Sequence, residues 1–332
     1  MKDTFGRTID YLRVSITDRC NFRCIYCMPP DGVEQMNHLD ILRYDEIIQI
    51  IKIAAEDGVK HIRLTGGEPT VRKGLVDLVR EIAEVPGIES IAMTTNGVLL
   101  PKMARDLKEA GLTRVNISLD TLDPEQFRKV TRVGNVEDVL AGVHAAFEAG
   151  LTPVKINTVA VRSLNQDFLG FARMSIDKPI HVRFIEYMPV GESSGTDGCG
   201  WGEDDVISAE EILEIINSAA QAEGLPVLEP SDPTVEGWGP ARYYKFAGAQ
   251  GTVGFISALS NHFCSPCNRV RLSADGKLRS CLFSDDETDI KTALREGGYE
   301  AAKQAFEQAI FAKPEEHFHR VGTARKMSQI GG

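Results

Sequence analysis

Three cysteines within eight residues near the start of the chain constrain its fold more than any other feature. Cys20, Cys24 and Cys27 stand at positions i, i+4 and i+7 of one short segment. Iron–sulfur cubanes are held by cysteine thiolates, normally four, so three in one loop would leave one iron open. An open position separates a catalytic metal site from a structural one. Zinc and three unrelated buried cysteines are the competing interpretations, although zinc usually takes repeated C-x2-C pairs.

A second group of three cysteines lies towards the other end of the chain. Cys264 and Cys267 form a C-x2-C pair, and Cys281 follows after thirteen residues. With His262 these thiols could form a zinc ribbon, whereas alone they would suit a second iron–sulfur cluster. The spacing leaves both interpretations open. The seventh cysteine, Cys199, has no cysteine close to it in sequence and is interpreted as incidental.

Short apolar segments alternate with amphipathic ones in the first part of the chain, and this alternation predicts a parallel α/β sheet. The predicted strands are 11–17, 61–65, 90–95, 114–119, 154–161 and 181–187. The predicted helices are 44–56, 73–84, 101–110, 124–131, 136–149 and 166–175. Six units are too few for a closed eight-unit barrel, so we predict an incomplete (β/α)6 TIM-type barrel.

The chain is predicted to divide into three segments. Residues 1–190 would form the barrel, and residues 191–240 a linker with a helix near 208–218. Residues 241–332 are predicted to form a C-terminal α+β extension that carries the second cysteine group. Its predicted elements are strands at 242–246, 252–256, 269–272 and 277–282, two terminal helices and a Gly-Gly tail.

Cysteine-, glycine- or polar-rich clusters follow five of the six predicted barrel strands. Active sites of α/β proteins gather at the carboxyl ends of the strands, so these clusters should meet on one face. Ordinary turns are the alternative, since Gly, Pro, Asn and Asp are common in turns. The clusters are the first cysteine loop and residues 65–69, 94–97, 118–120 and 186–189.

Basic residues interrupt several predicted strands. Arg13 and Arg63 alternate with apolar neighbours, Lys155 lies at the start of the fifth strand, and Arg269 and Arg271 share one face of a later strand. Charged side chains are rare in a packed interior, but a cluster facing an anion would be tolerated, and guanidinium groups suit phosphate. Each could instead be a surface cation or pair with a carboxylate. The net charge of −11 argues against nucleic acid, so we expect a local basic pocket for a small anion.

The sequence carries no sign of export or of membrane insertion. No apolar run approaches the ~20 residues of a membrane helix, and residues 1–7 lack the apolar core of a signal peptide. Seven cysteines, an odd number, favour reduced thiols over a disulfide framework. We expect a cytoplasmic protein without a membrane partner.

The motifs resemble those of a known family. C-x3-C-x2-C with Tyr26 before its third cysteine resembles the signature of radical S-adenosylmethionine (SAM) enzymes. The segments DYLRVSITDRCNFRCIYCMP, RLTGGEP, TTNG, NISLD and CSPCNRVRLSADGKLRSCLF, with the terminal Gly331-Gly332, resemble the MoaA-type GTP 3′,8-cyclases of molybdenum cofactor biosynthesis. This resemblance extends from about Asp10 to the last residue.

The resemblance implies two [4Fe–4S] clusters and a set of ligand contacts. Cluster 1 would be held by Cys20, Cys24 and Cys27, and cluster 2 by Cys264, Cys267 and Cys281. The implied SAM contacts are Tyr26, Gly67, Ser118 and Met188. The implied GTP contacts are Arg13, Arg63, Thr94, Lys155, Arg269, Val270 and Arg271. The implied catalytic residues are Arg13, Arg269, Arg271, Gly331 and Gly332.

The resemblance also implies a reaction and partners. A 5′-deoxyadenosyl radical would take hydrogen from C3′ of GTP, and C3′ would attack C8 to give 3′,8-cyclo-7,8-dihydro-GTP. The product would pass to cyclic pyranopterin monophosphate synthase, and a flavodoxin or ferredoxin would supply electrons. A homodimer is a further expectation. The alternatives are a two-cluster radical SAM enzyme acting on a peptide and a non-enzymatic zinc-ribbon interaction protein.

Overall fold

One sheet of twelve strands runs through the computed structural model, which describes residues 1–33, 36–37, 39–188, 201–231, 239–317, 325 and 327–329. The strands are β1 (Tyr11–Ser15), β2 (His61–Thr65), β3 (Ser90–Thr95), β4 (Arg114–Ser118), β5 (Val154–Ala160), β6 (Ile180–Glu186), β7 (Leu228–Pro230), β8 (Arg242–Phe246), β9 (Thr252–Ile256), β10 (Arg269–Leu272), β11 (Lys277–Arg279) and β12 (Thr288–Asp289). Their order is β12-β11-β10-β1-β2-β3-β4-β5-β6-β9-β8-β7. Within the described residues β7 and β12 do not pair, so the barrel is open, as the sequence predicts.

Helices connect the parallel strands, and local sequence fixes where several of them begin. In the described ranges they are α1 (Tyr44–Glu56), α2 (Leu75–Ala83), α3 (Leu100–Glu109), α4 (Pro124–Thr131), α5 (Val136–Glu148), α6 (Phe168–Arg173), α7 (Ala209–Ala222) and α8 (Ile290–Phe311). The Asp123 carboxylate accepts from the backbone N–H of Gln126 at 2.6 Å, and the Ser208 hydroxyl accepts from that of Glu211 at 3.1 Å. Such caps satisfy first-turn N–H groups that have no partner inside the helix.

The C-terminal strands extend the barrel sheet at both edges. β10 pairs in parallel with β1, and β9 pairs in parallel with β6. The outer strands β11, β12, β8 and β7 then continue the sheet in antiparallel fashion. The second cysteine group, which flanks β10 and β11, is thereby attached directly to the strand that leads into the first cysteine loop.

Alternation along the parallel strands separates the core from the barrel interior. Leu12 and Val14 are fully buried in the hydrophobic core, whereas Tyr11 and Arg13 line an interior cavity. Side chains of successive strand residues point to opposite faces, so this division follows from the sequence of β1. The interior face of the sheet is therefore the one that carries the candidate functional groups.

Most predicted elements lie within two residues of the observed ones. The first strand ends at Ser15 instead of residue 17, and β7 and β12, of three and two residues, were not predicted. The prediction of two terminal helices is confirmed: α8 consists of two helical segments that meet at a kink at Gly298, where φ is 73° and ψ is −164°. Glycine adopts such a backbone without strain, so the helix bends there. The three-segment division stays a prediction.

None of the helices in the described ranges is both long enough and apolar enough to cross a membrane.

Close packing of α5 on the loop after β3 should make Gly142→Ala destabilising. A Cβ at residue 142 would lie 2.1 Å from the carbonyl oxygen of Gly97, so backbone must move. We expect a loss of about 1–3 kcal/mol in the free energy of unfolding, as for other overpacked sites. Urea unfolding of the metal-free protein measures it. Gly202→Ala is the control, because its Cβ would meet nothing within 4 Å; equal midpoints for both variants would contradict the prediction.

Candidate active site

A single cavity of about 350 Å³ in the barrel interior is lined by all six cysteines of the two predicted groups. The first group follows the carboxyl end of β1. The second group lies at the amino end of the parallel strand β10 and just beyond the end of antiparallel β11. The five residues of β1, at about 3.3 Å each, separate the two cysteine groups by roughly 15 Å along the strand direction. The two thiol groups therefore face one cavity from opposite ends of the strands.

The first cysteine loop is held in place by backbone hydrogen bonds and by the Arg132 side chain. The N–H groups of Arg23 and Ile25 donate to the carbonyls of Thr131 and Val130, at 3.1 and 2.9 Å. The Arg132 guanidinium donates to the carbonyls of Arg23 and Met28, at 3.0 and 2.9 Å. The Phe22 N–H donates to the Cys20 sulfur at 3.3 Å. Loop geometry is thus fixed by the end of α4.

The Gly66-Gly67-Glu68-Pro69 segment packs against the chain that enters the cysteine loop. Cβ atoms on Gly66 and Gly67 would lie 2.5 Å from the carbonyl oxygens of Thr17 and Arg19. The two glycines thus allow backbone to approach backbone closely, and both also line the cavity. The buried Glu68 carboxylate then accepts from Thr95 Oγ1 at 2.7 Å and from the Asn96 N–H at 2.6 Å, which ties β2 to β3.

Tyr26 is fixed by a carboxylate and an aromatic ring. Its hydroxyl donates to Asp120 at 2.7 Å, and its ring stacks on Trp201 with centroids 5.8 Å apart. Burial, and then the charge of Asp120, raise the pKa of Tyr26 well above its ordinary value, so the phenol stays protonated. Asp120 and Trp201 were not predicted; Asp120 was visible only as part of a polar cluster after the fourth strand.

A hairpin explains the spacing of the second cysteine group. The Cys267 N–H donates to the Cys264 carbonyl at 3.0 Å, which closes a turn just before β10. β10 and β11 are antiparallel, with Arg271 opposite Arg279, so the chain returns to bring Cys281 beside Cys267. Ligand atoms of His262, Cys264 and His317 lie within 4.8 Å of one another, so a histidine ligand for this group stays open.

Three arginines stand side by side on adjacent strands. Arg13 of β1 has Arg271 of β10 and Arg63 of β2 as its register partners. Residues paired in a parallel sheet share a face, so all three point into the cavity, and all three line it. Arg269, two residues before Arg271, and Arg183 of β6 line the same cavity. Arg183 was not predicted, although it alternates with apolar neighbours in its strand as Arg13 and Arg63 do.

These arginines make the interior strongly positive. Burial, and then Arg271, Arg63 and Arg269, lower the pKa of Arg13 well below its ordinary value. Burial with Lys155 and Arg183 lowers the pKa of His181 to about 4, so that histidine is neutral at pH 7. The Nε atoms of Arg63, Arg183 and Arg269 are buried and have no hydrogen-bond partner among the described residues. Buried donors of this kind suit an anion with several acceptor oxygens.

The predicted site residues fall into three groups. The cavity is lined by the six cysteines and by Arg13, Tyr26, Arg63, Gly67, Thr94, Ser118, Met188, Arg269 and Arg271. Lys155 of β5 and Val270 of β10 are buried, and neither is among the described residues that line the cavity. Gly331, Gly332 and Cys199 lie outside the described residues. Met327 and Ser328, close to the chain end, do line the cavity.

The buried thiols of the first group are suited to bind a metal cluster. Burial raises the pKa of Cys20 to about 11 and that of Cys27 to about 12. Burial and the neighbouring Cys27 raise the pKa of Cys24. Thiolates are the ligating form, so these groups need a bound cation to ionise at neutral pH. Three thiols gathered on one loop are a fitting donor set for the irons of one cluster.

Two family models match adjacent parts of the chain. The radical SAM superfamily matches residues 14–174, and Molybdenum Cofactor Synthesis C matches residues 180–319. A GTP 3′,8-cyclase of Moorella thermoacetica is 51% identical over 336 residues, and one of Pelotomaculum thermopropionicum is 49% identical over 336 residues. Each alignment covers 100% of both chains. The chain is thus similar to these proteins over its whole length.

Solved structures with low sequence identity share the fold. Streptococcus suis SuiB bound to S-adenosylmethionine has a TM-score of 0.57 and 14% identity, covering 88% of this chain and 65% of that chain. The structure of anSMEcpe with bound AdoMet has a TM-score of 0.57 and 14% identity, covering 92% and 78%. At this identity the two structures support the fold alone.

Thiol alkylation of the metal-free protein should separate the two cysteine groups. Burial raises the pKa of Cys267, but the charges of Lys313 and Arg269 lower it by more than burial raises it. The net shift is downward from 9.0. Iodoacetamide reacts with the thiolate, so the rate at Cys267 should reach half of its maximum below pH 9, whereas the rate at Cys20 should reach half only near pH 11. Iodoacetamide labelling with peptide mass mapping measures both. Urea-unfolded protein is the control, and equal rates in the folded protein at pH 8 would contradict the prediction.

Proposed function

The chain belongs to the GTP 3′,8-cyclase family of radical SAM enzymes, and we propose on that basis that it converts GTP to 3′,8-cyclo-7,8-dihydro-GTP. This is the first step of molybdenum cofactor biosynthesis. The observation that carries the proposal to this chain's own residues is that two thiol groups and five arginines line one cavity. A guanine nucleotide offers a polyanion to the arginines and a base that can ligate iron. The full-length similarity does not favour the peptide-acting and zinc-ribbon alternatives.

The first thiol group suits the cluster of radical SAM enzymes. Cys20, Cys24 and Cys27 would hold three irons of a [4Fe–4S] cluster and leave one for the amino and carboxylate groups of SAM. Together the cluster and SAM would supply a 5′-deoxyadenosyl radical, which would abstract hydrogen from C3′ of GTP. The proposed SAM contacts are Tyr26, Gly67, Ser118 and Met188.

The arginines would bind and orient the triphosphate. Arg13, Arg63 and Arg271 form a row across three strands, and a row of planar donors suits successive phosphate oxygens. Burial and then repulsion by the other arginines lower the pKa of Arg13, and binding of the anion would offset both effects. The proposed GTP contacts are Arg13, Arg63, Thr94, Lys155, Arg269, Val270 and Arg271, to which Arg183 is added. Arg13, Arg269 and Arg271, with Gly331 and Gly332 of the tail, are the proposed catalytic residues.

The second thiol group would anchor the other end of the substrate. We propose that Cys264, Cys267 and Cys281 hold a second [4Fe–4S] cluster whose open iron binds guanine. The two thiol groups lie roughly 15 Å apart along the strands. A nucleotide anchored on the second group would therefore extend towards the first group. Fixing both ends would place C3′ within attack distance of C8 and of the radical source, which is how positioning lowers the barrier.

The chain would also shield the reaction from water and oxygen. The cavity lies inside the barrel, and Met327 and Ser328 lie on its wall. A closed site protects a reactive radical from side reactions. Gly331 and Gly332 follow these residues, and we propose that the tail enters the site when substrate is bound.

The remaining associations are part of the proposal. The product would pass to cyclic pyranopterin monophosphate synthase, and a flavodoxin or ferredoxin would supply electrons. We also propose that the protein is cytoplasmic and forms a homodimer.

Turnover with GTP tests the proposed function. Protein reconstituted with iron and sulfide without air should hold about eight irons per chain. With SAM and a reductant it should form 5′-deoxyadenosine and the cyclised nucleotide only when GTP is present. ATP is the control nucleotide. No 5′-deoxyadenosine above the nucleotide-free level would refute GTP as substrate, and zinc without iron would refute the radical mechanism.

Removing one arginine of the row should weaken GTP binding without loss of metal. Arg63→Ala and Arg271→Ala should each raise the Kd for GTP about 10–100-fold, because each removes charge-assisted hydrogen bonds to phosphate. Equilibrium binding to SAM-free reconstituted protein measures this, with iron content as a check. Arg80→Ala is the control, since that exposed arginine pairs with Asp77. An unchanged Kd would remove the substituted arginine from the triphosphate site.

A further inference from the structure

A buried lysine that does not line the cavity lies beside the second thiol group. Lys313 lies two residues after the end of α8 and is only 3% exposed. Its Nζ donates to the carbonyl of Arg269 at 2.9 Å and to the carbonyl of Ser280 at 2.5 Å. Arg269 is two residues beyond Cys267, and Ser280 directly precedes Cys281. The lysine therefore bridges the two strands from which two of the three thiols project.

The third donor of this lysine is directed at a thiol. The Lys313 side chain hydrogen-bonds Cys267, and its charge also acts on Cys281. An ammonium has three donors and no acceptor, and here the three face two carbonyl oxygens and a sulfur. A neutral amine would turn its lone pair towards one of these acceptors. Burial lowers the pKa of Lys313, but the three acceptors around its Nζ favour the charged ammonium and fix it in one orientation.

A second cation locks the lysine segment in place. The Arg7 guanidinium donates to the carbonyls of Cys264, Pro314 and Glu315, at 3.0, 2.6 and 2.8 Å. It is itself held by the buried Asp3 carboxylate at 2.6 Å. Arg7 thus joins the loop of the second thiol group to the residues after Lys313, so the lysine cannot swing away without breaking these bonds.

We propose that Lys313 is a positioning residue for the second cluster, which it stabilises and whose reduction it favours. The inference rests on the proposed second cluster. A cubane with three thiolates gains a negative charge when it accepts one electron from an external reductant. A fixed cation that donates to a ligand sulfur stabilises the more negative state and raises the midpoint potential. Because Lys313 is not among the described residues that line the cavity, it acts through the cysteines and not on the substrate.

The potential of the second cluster tests this role. Cys20, Cys24 and Cys27 are replaced by Ala in the full chain, so that iron on the second group is observed alone. Lys313→Met should shift the reduction equilibrium at least about tenfold against the reduced form, which is about 59 mV for a one-electron couple. It should also release iron to a chelator several-fold faster. Redox titration followed by electron paramagnetic resonance, and iron release, measure the two effects.

Matched variants separate charge from packing. Lys313→Arg keeps the charge and should restore most of the midpoint, whereas Lys313→Gln keeps donors without charge and should behave as Met does. Lys303→Met is the surface control, because that lysine pairs with Glu56 at 2.8 Å. Thermal unfolding of the metal-free proteins shows whether each variant is folded. If Lys313→Met does not fold, Lys313→Gln is compared with the unsubstituted chain instead.

Each outcome decides between the two hypotheses. If the chain with Lys313 intact holds about four irons, and the Met and Gln variants match Lys303→Met in midpoint and iron release, the role of Lys313 is refuted and the second cluster stands. If the chain with Lys313 intact binds zinc or no metal on the second group, the second cluster is refuted and the lysine inference falls with it.

Discussion

The parallel pairing of β10 with β1 is the contact on which the site depends. It places Arg271 beside Arg13 and brings the second thiol group to the amino end of the strand whose carboxyl end leads into the first. A strand added to the barrel edge in antiparallel fashion would reverse its direction and carry Cys267 to the other end of the sheet. The distance between the two groups is then a matter of strand length, which the backbone fixes without any help from side chains.

A negatively charged protein thus contains a positive interior. The net charge is −11, yet five arginines line one cavity, and they come from four strands that lie far apart in sequence. Bringing them together costs free energy through repulsion and desolvation, as the lowered pKa of Arg13 and of Arg271 indicates. Core residues such as Leu12 and Val14, on the opposite face of the same strands, provide stabilisation that offsets this cost. The cavity can therefore hold arginines that repel one another, because the hydrophobic core stabilises the sheet that carries them.

The sequence predicted what is local and missed what depends on long-range pairing. The six barrel strands, the helices that follow them and both thiol groups could be read from periodicity and spacing. Arg183 was missed, and its partners come from other strands: its guanidinium donates to Asn157 of β5 and is affected by the charge of Arg63 of β2. Trp201 was missed as well, since it lies beyond the sixth strand, and only the folded chain brings its ring against Tyr26. Family resemblance implied GTP contacts that spacing alone did not indicate, and two of them, Lys155 and Val270, are not among the described residues that line the cavity.

Lys313 illustrates the difference between a basic residue that binds substrate and one that supports a cofactor. Arg63, Arg183 and Arg269 each keep a buried Nε donor without a partner among the described residues, and such donors suit an anion. Lys313, in contrast, has its donors engaged by Arg269, Ser280 and Cys267, so it has no capacity left for a ligand. A satisfied, immobile cation next to sulfur can act only through its field and through the geometry it imposes. Hydrogen-bond accounting, which no sequence pattern provides, therefore distinguishes the two roles.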